Sequence, residues 1–234
     1  MKRTPLTYTL AIALILPLTA AFTSSNAVAA SKKDPAGKSY PLVFSENFKK
    51  GSENWTMTDP KAWELKKDGR KSVLSLKGSS NYQPAVRSPH SIAWIKGLDL
   101  SSFVLEVNVK QTGREYGHRD TCLFFNKNSD VQYYYVHIAT EADPHAHSIF
   151  KVDKEPRISI VQERTDGWKW DKEYHTVRII RDAESGTIDV FVDDMENAIM
   201  HTTNKTFTSG TLGIGSFDDT GYFNEVTVWG TPGK

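Results

Sequence analysis

The stretch Phe103-Val104-Leu105-Glu106-Val107-Asn108-Val109-Lys110 decides the fold class. Phe103, Leu105, Val107 and Val109 alternate with Val104, Glu106, Asn108 and Lys110. A period of two places one set on each face of a β-strand. Ile188, Val190 and Val192 repeat the pattern against Thr187, Asp189, Phe191 and Asp193. Further strands are expected at 73–76, 121–125, 131–139, 148–152, 157–162, 174–181, 211–216 and 225–229. Asn, Asp and Gly clusters such as Asn128-Ser129-Asp130, Glu184-Ser185-Gly186 and Asp218-Asp219-Thr220-Gly221 separate them. No segment carries a sustained apolar stripe of helical period. Many short strands divided by turn signals predict an all-β jelly-roll sandwich of two antiparallel sheets.

Composition agrees with one globular domain. The chain has 234 residues, with 29 Lys+Arg against 28 Asp+Glu and a formal charge of +1. That balance offers no basic field for nucleic acid. The single cysteine, Cys122, excludes a disulfide scaffold and any CxxC site. It lies in the apolar run Cys122-Leu123-Phe124-Phe125 and reads as a buried structural thiol.

The first residues read as an address. Lys2 and Arg3 precede the apolar run Leu10 to Ala21, and Ala27-Val28-Ala29 is an A-x-A cleavage signal. The expected organisation is a signal peptide over 1–29, a flexible leader over 30–39 and one sandwich domain over 40–232. The mature protein is expected to be secreted or periplasmic, monomeric, and free of membrane after cleavage, since no later apolar run has the ~20 residues a membrane helix needs.

Phe44-Ser45-Glu46-Asn47-Phe48, Trp55 and Trp63-Glu64-Leu65 resemble the opening of the concanavalin A-like (laminin G-like) sandwich domains of secreted bacterial proteins. The closing Gly210-Thr211-Leu212-Gly213-Ile214-Gly215-Ser216-Phe217, with Phe223-Asn224-Glu225-Val226, is similar to their last two strands. The branch most resembled includes the 3-keto-disaccharide hydrolase-like domains. The resemblance implies a polysaccharide or oligosaccharide partner. Within that superfamily the function is cleavage by a hydrolase or lyase, or binding alone.

Candidate site residues cluster in the middle of the chain. As a strand, residues 131–139 put Tyr133, Tyr135 and His137 on one face and Tyr134, Val136 and Ile138 on the other. The first set offers stacking surface and proton-transfer groups; its bland alternative is an ordinary packed face. His118 and Arg119 precede the 121–125 strand. Arg119 is a candidate to bind an acidic or hydroxyl group of a glycan, or simply to pair with Asp120. His145 and His147 form an H-x-H pair that an extended chain would aim to one side, as metal ligands or substrate contacts. Trp168 and Trp170 would stack on a pyranose if exposed, or cap the core if not. Glu46, Asp218 and Asp219 offer the oxygen ligands that a structural Ca²⁺ takes; no other cofactor is expected. The absence of an E-x-D-x-x-E strand argues against a retaining glucanase. The expected function is therefore a carbohydrate-active enzyme in which Tyr135 and His137 move protons, Arg119 offsets a carboxylate and His118 assists. Tyr133, His145, His147, Trp168 and Trp170 would bind substrate. The alternative is a non-catalytic glycan-binding module.

Overall fold

A computed structural model of the chain describes residue 1 and residues 34–78 and 80–233. The expected signal peptide and the first part of the leader lie outside the described residues. From Asp34 onward the chain turns: the Asp34 carboxylate accepts from the Ala36 and Tyr40 amides and is nearly buried.

Sixteen strands follow among the described residues. They are β1 (Leu42–Glu46), β2 (Trp55–Met57), β3 (Trp63–Asp68), β4 (Lys71–Leu76), β5 (Ser91–Ile95), β6 (Leu100–Gln111), β7 (Asp120–Ser129) and β8 (Gln132–Ala139). The second half carries β9 (Ser148–Asp153), β10 (Ile158–Ser159), β11 (Glu163–Arg164), β12 (His175–Arg181), β13 (Thr187–Val192), β14 (Met200–Thr203), β15 (Thr211–Ser216) and β16 (Gly221–Pro232). The first sheet runs β11-β14-β13-β12-β6-β16-β4-β3, with β1 also on β16; the second runs β10-β9-β8-β7-β15-β5-β2. Every pairing is antiparallel.

The alternation read from the sequence sets the inner face of the first sheet. Phe103, Leu105, Val107 and Val109 of β6 face the core with Val177 and Ile179 of β12 and Ile188, Val190 and Val192 of β13. The second sheet answers with Leu123, Phe125, Tyr134, Val136, Ile138 and Ile149. Glu106, Asn108 and Lys110 face outward, where Glu106 takes a two-pronged hydrogen bond from Arg178.

Six strands escape the periodicity reading for physical reasons. β3 is an edge strand whose middle, Glu64 to Lys67, is exposed. β5 (Ser-Ile-Ala-Trp-Ile) is buried throughout, so alternation vanishes. β1, β2, β11 and β14 are too short to show a period. The 157–162 strand shrinks to the two residues of β10.

Closest packing occurs where β15 lies between β5 and β7. A Cβ on Gly215 would stand 1.9 Å from the Ser91 carbonyl oxygen, and one on Gly213 2.8 Å from that of Ala93. Gly215→Ala is accordingly expected to destabilise the fold by about 2–3 kcal/mol, an overpacking penalty against backbone that cannot yield. Urea unfolding checks this, and an unchanged midpoint would contradict the packing described.

Candidate functional site

The outer face of the second sheet is aromatic. Phe124 of β7 stacks on Tyr135 of β8 at 5.7 Å, and Tyr135 stacks on Phe150 of β9 at 5.2 Å. Trp94 of β5 meets Phe124 and Tyr133 edge-on. These rings, with Ile92, Cys122 and Val152, form a second apolar cluster, against which Val86 from the β4–β5 connection packs. Tyr133, Tyr135 and His137 do share one face. That face is covered rather than open: Tyr133 and Tyr135 are 1% and 0% exposed. Burial pushes both phenols well above their ordinary range. The rings thus bury a large area on this sheet instead of stacking on solvent-borne sugar.

One end of this face opens into a cavity of about 180 Å³. Its walls come from Arg87, His118, His145 and Arg157, and its floor and rim from Tyr116, His137, Phe217 and Asp218. His137 lies opposite Cys122 in the β7–β8 register, and its ring stacks on Phe217. His137 Nε2 stands 2.7 Å from Asp120 Oδ2, at ion-pair distance, although no acceptor lies in hydrogen-bonding line with either ring nitrogen.

Asp120 is the hub beneath the cavity. Ser216 Oγ and the Phe217 amide donate to its carboxylate, and Cys122 Sγ donates at 3.3 Å. Although burial works against the charge, the adjacent His137 and these donors hold the Asp120 carboxyl below its ordinary value. Burial raises the Cys122 thiol well above its ordinary value, and the Asp120 charge adds to this, so the thiol is inert. Asp219 accepts from Tyr116 Oη at 2.7 Å and from the Asp120 amide at 2.9 Å. Burial, then the Asp120 charge, pushes its carboxyl up to about 6. Asp218 is raised for the same two reasons.

The histidine pair divides. Asp143 and Ala146 close a tight turn, so the chain is not extended there. Asp143 holds His118 Nε2 at 2.6 Å and accepts from the His145 amide, placing both histidines at the cavity mouth. His147, at φ 47°, turns inward, is fully buried and meets Thr165 Oγ1. Burial lowers its pKa to about 4, so it stays neutral at physiological pH. His145 and His147 therefore do not share a metal.

Several other expected residues sit elsewhere. Arg119, one position from Asp120, lies 1% exposed and donates to the Trp170 carbonyl oxygen, away from the cavity. Trp170 is 6% exposed and donates to the Ile138 carbonyl oxygen, while Trp168 packs on the main core. Both cap the sandwich instead of presenting a stacking platform. Glu46 accepts from the Asn47 and Phe48 amides and from Asn54, so it closes a turn apart from Asp218 and Asp219. Among the described residues, Asp120 completes the group with Asp218 and Asp219, and Asp120, Cys122 and His137 form a second group with metal-ligand spacing.

Arg157 was not visible in the sequence as a site residue. It follows the turn at Lys154-Glu155-Pro156 and lies over the rings of Phe150 and Phe217, at 4.5 and 4.4 Å. Nη1 donates to Tyr135 Oη at 2.6 Å, and Nη2 to the His145 carbonyl oxygen at 2.8 Å. Arg87, Tyr116 and Asp120 were also missed as members of one site. No local pattern marks them, because Arg87 and Tyr116 come from two different connections and Asp120 from the start of β7.

No protein-family model matches the chain, and no curated protein matches it. Solved structures do. The carbohydrate-binding module CBM66 from Bacillus subtilis superposes with a TM-score of 0.53 at 16% identity, covering 75% of this chain and 95% of that one. The winged bean acidic lectin complexed with methyl-α-D-galactose gives 0.55 at 14%, covering 82% and 99%. The cellulose induced protein Cip1 gives 0.55 at 10%, covering 81% and 98%. The fold is the concanavalin A-like β-sandwich. Within this concanavalin A-like frame, the cavity sits where β7 begins and β8 ends, and where the connections before β5, β7, β9, β10 and β16 meet.

Protonated Asp219 favours the folded state, because its folded pKa of about 6 exceeds its ordinary 3.8. Its contribution is full below 3.8 and is lost as pH rises through about 6. Asp219→Asn should flatten the decline in stability over that window. Urea midpoints measured against pH check this; parallel curves for the two proteins would contradict it.

Proposed function

We propose that this chain is an exported glycan-binding module that holds one sugar residue, at a chain end, in the cavity above Asp120. The observation that carries this reading is the sorting of polar groups. Of the groups expected to transfer protons, Tyr135 is sealed and its Oη already accepts from Arg157, while His137 reaches the cavity only as part of its floor, its Nε2 against Asp120. The groups at the mouth are hydrogen-bonding ones: Arg87, His118, His145, Arg157, Tyr116 and Asp218. Donors and acceptors facing one another across a small space suit a polyol, whose hydroxyls do both. About 180 Å³ is too small for several sugar residues at once. Phe217 supplies an apolar wall of the kind a pyranose face packs against. The carbohydrate-binding module and the lectin that share the fold support a sugar ligand. Export rests on Lys2, Arg3, the apolar run from Leu10 and Ala27-Val28-Ala29.

A second reading is supported by Asp218 and Asp219. Two neighbouring carboxyls raised toward neutrality are suited to general acid catalysis, so hydrolysis is the rival to binding.

Glycan-array binding followed by calorimetry on the full chain tests the proposal. Retention on one glycan class, weakened at least ~10-fold by Asp218→Asn or His118→Ala, with no release of reducing ends, is the expected result; ~10-fold is about one charge-assisted hydrogen bond. Release of reducing ends that disappears in Asp219→Asn would replace binding with hydrolysis. No retention on any glycan would overturn both readings.

A further inference from the structure

The arginines of the cavity lack acidic partners. Among the described residues, no carboxylate oxygen lies within 4.0 Å of the Arg157 or Arg87 guanidinium, although the chain forms ion pairs freely elsewhere. Arg157 is held in place all the same. Two phenyl rings flank it, Tyr135 Oη and the His145 carbonyl oxygen each take one donor, and its own amide donates to the Arg87 carbonyl oxygen. A guanidinium has five N–H donors in a planar fork, so donors remain beyond the two bonds made. Half-burial against aromatic faces strips water from the cation and fixes its rotamer before any ligand arrives. Arg87, exposed and with no side-chain partner among the described residues, stands on the same cavity.

Asp218 also lines the cavity, near enough for the Arg157 charge to act on its carboxyl but outside ion-pair distance, and Tyr116 presents a hydroxyl already committed to Asp219. The cavity therefore holds two arginine cations and one carboxylate acceptor. A neutral sugar would use the acceptor and leave the arginines without a counterion. A sugar bearing one carboxylate beside its hydroxyls satisfies both.

Resting on the glycan-binding reading, we infer that the cavity selects a terminal uronic acid, with the carboxylate taken by Arg157 and Arg87 and the ring hydroxyls by Asp218. The planar fork of arginine matches a carboxylate in two-point geometry, which an ammonium cannot reproduce. His118 and His145 line the same cavity as further donors.

Calorimetry on the full chain compares uronic disaccharides of galacturonate, glucuronate and mannuronate with their neutral counterparts and with a sulfated galactose disaccharide. At least one uronic disaccharide is expected to bind ~10-fold or more tighter than its neutral counterpart. Arg157→Gln should lower uronate affinity at least ~10-fold more than it lowers neutral-sugar affinity, and Arg157→Lys should restore only part of that difference. Arg157 also packs on two rings, so Arg87→Gln, at an exposed side chain, supplies a second variant; it should lower uronate affinity several-fold and make that affinity less sensitive to salt than in wild type. Equal affinity for uronic and neutral sugars would overturn the uronate assignment and leave glycan binding standing. Tighter binding of the sulfated sugar would overturn the carboxylate assignment. Failure of every sugar to bind would overturn the glycan-binding reading, and this inference with it.

Discussion

The second sheet must be buried on both faces, and the site follows from that constraint. In β7 and β8 the residues of both alternating sets are large and largely apolar. Leu123, Phe125, Tyr134, Val136 and Ile138 fill the space between the sheets. Cys122, Phe124, Tyr133 and Tyr135 would otherwise expose a wide aromatic surface, and each buried ring is worth a few kcal/mol. The chain answers by laying its connections over that face. Val86 comes from one connection and Arg157 from another, and the two are joined where the Arg157 amide meets the Arg87 carbonyl oxygen. The cavity is what the cover leaves open.

Electrostatics then shapes that cavity. Asp120 is almost fully buried, and it persists as a carboxylate because His137, Ser216 and the Phe217 amide all face it. A buried charge of that kind burdens its neighbours: Asp218 and Asp219 are both raised by it. In the same cavity, ring faces and a phenol hold Arg157, with no carboxylate oxygen within ion-pair distance of it among the described residues. A charged group left unpaired but rigid is poorly used by folding and well suited to binding, since its ordering is complete before the ligand arrives.

Lectins, binding modules and other proteins share this sandwich at identities of 10–16%, so the frame carries no chemistry of its own. The connections supply it. His118 and His145 come together because Asp143 braces both. Arg164 fixes the same turn by donating to the Asp143, Ala146 and His147 carbonyl oxygens. A single turn thus directs His145 to the mouth and His147 to the interior, two residues apart.

The sequence by itself determined the sheet faces. Side-chain alternation is local, so the inner rows of β6 and β13, and the separation of Tyr133, Tyr135 and His137 from Tyr134, Val136 and Ile138, follow from a period of two. Arg119 stands just before β7 and reaches the Trp170 carbonyl oxygen, while Asp120, the first residue of β7, lies beneath the cavity; the sequence left their pairing open. His118, His137 and His145 were legible as site residues by their concentration. Whether a face is covered is not local. The burial of Tyr133 and Tyr135 depends on a connection some fifty residues earlier in the chain, and Trp168 and Trp170 cap the core because the Ile138 carbonyl and the end of β8 lie beneath them. Arg87, Tyr116, Asp120 and Arg157 meet only once three connections are folded over the start of β7. Tertiary structure decided the site, because a cavity is a relation between distant segments that no spacing within one segment encodes.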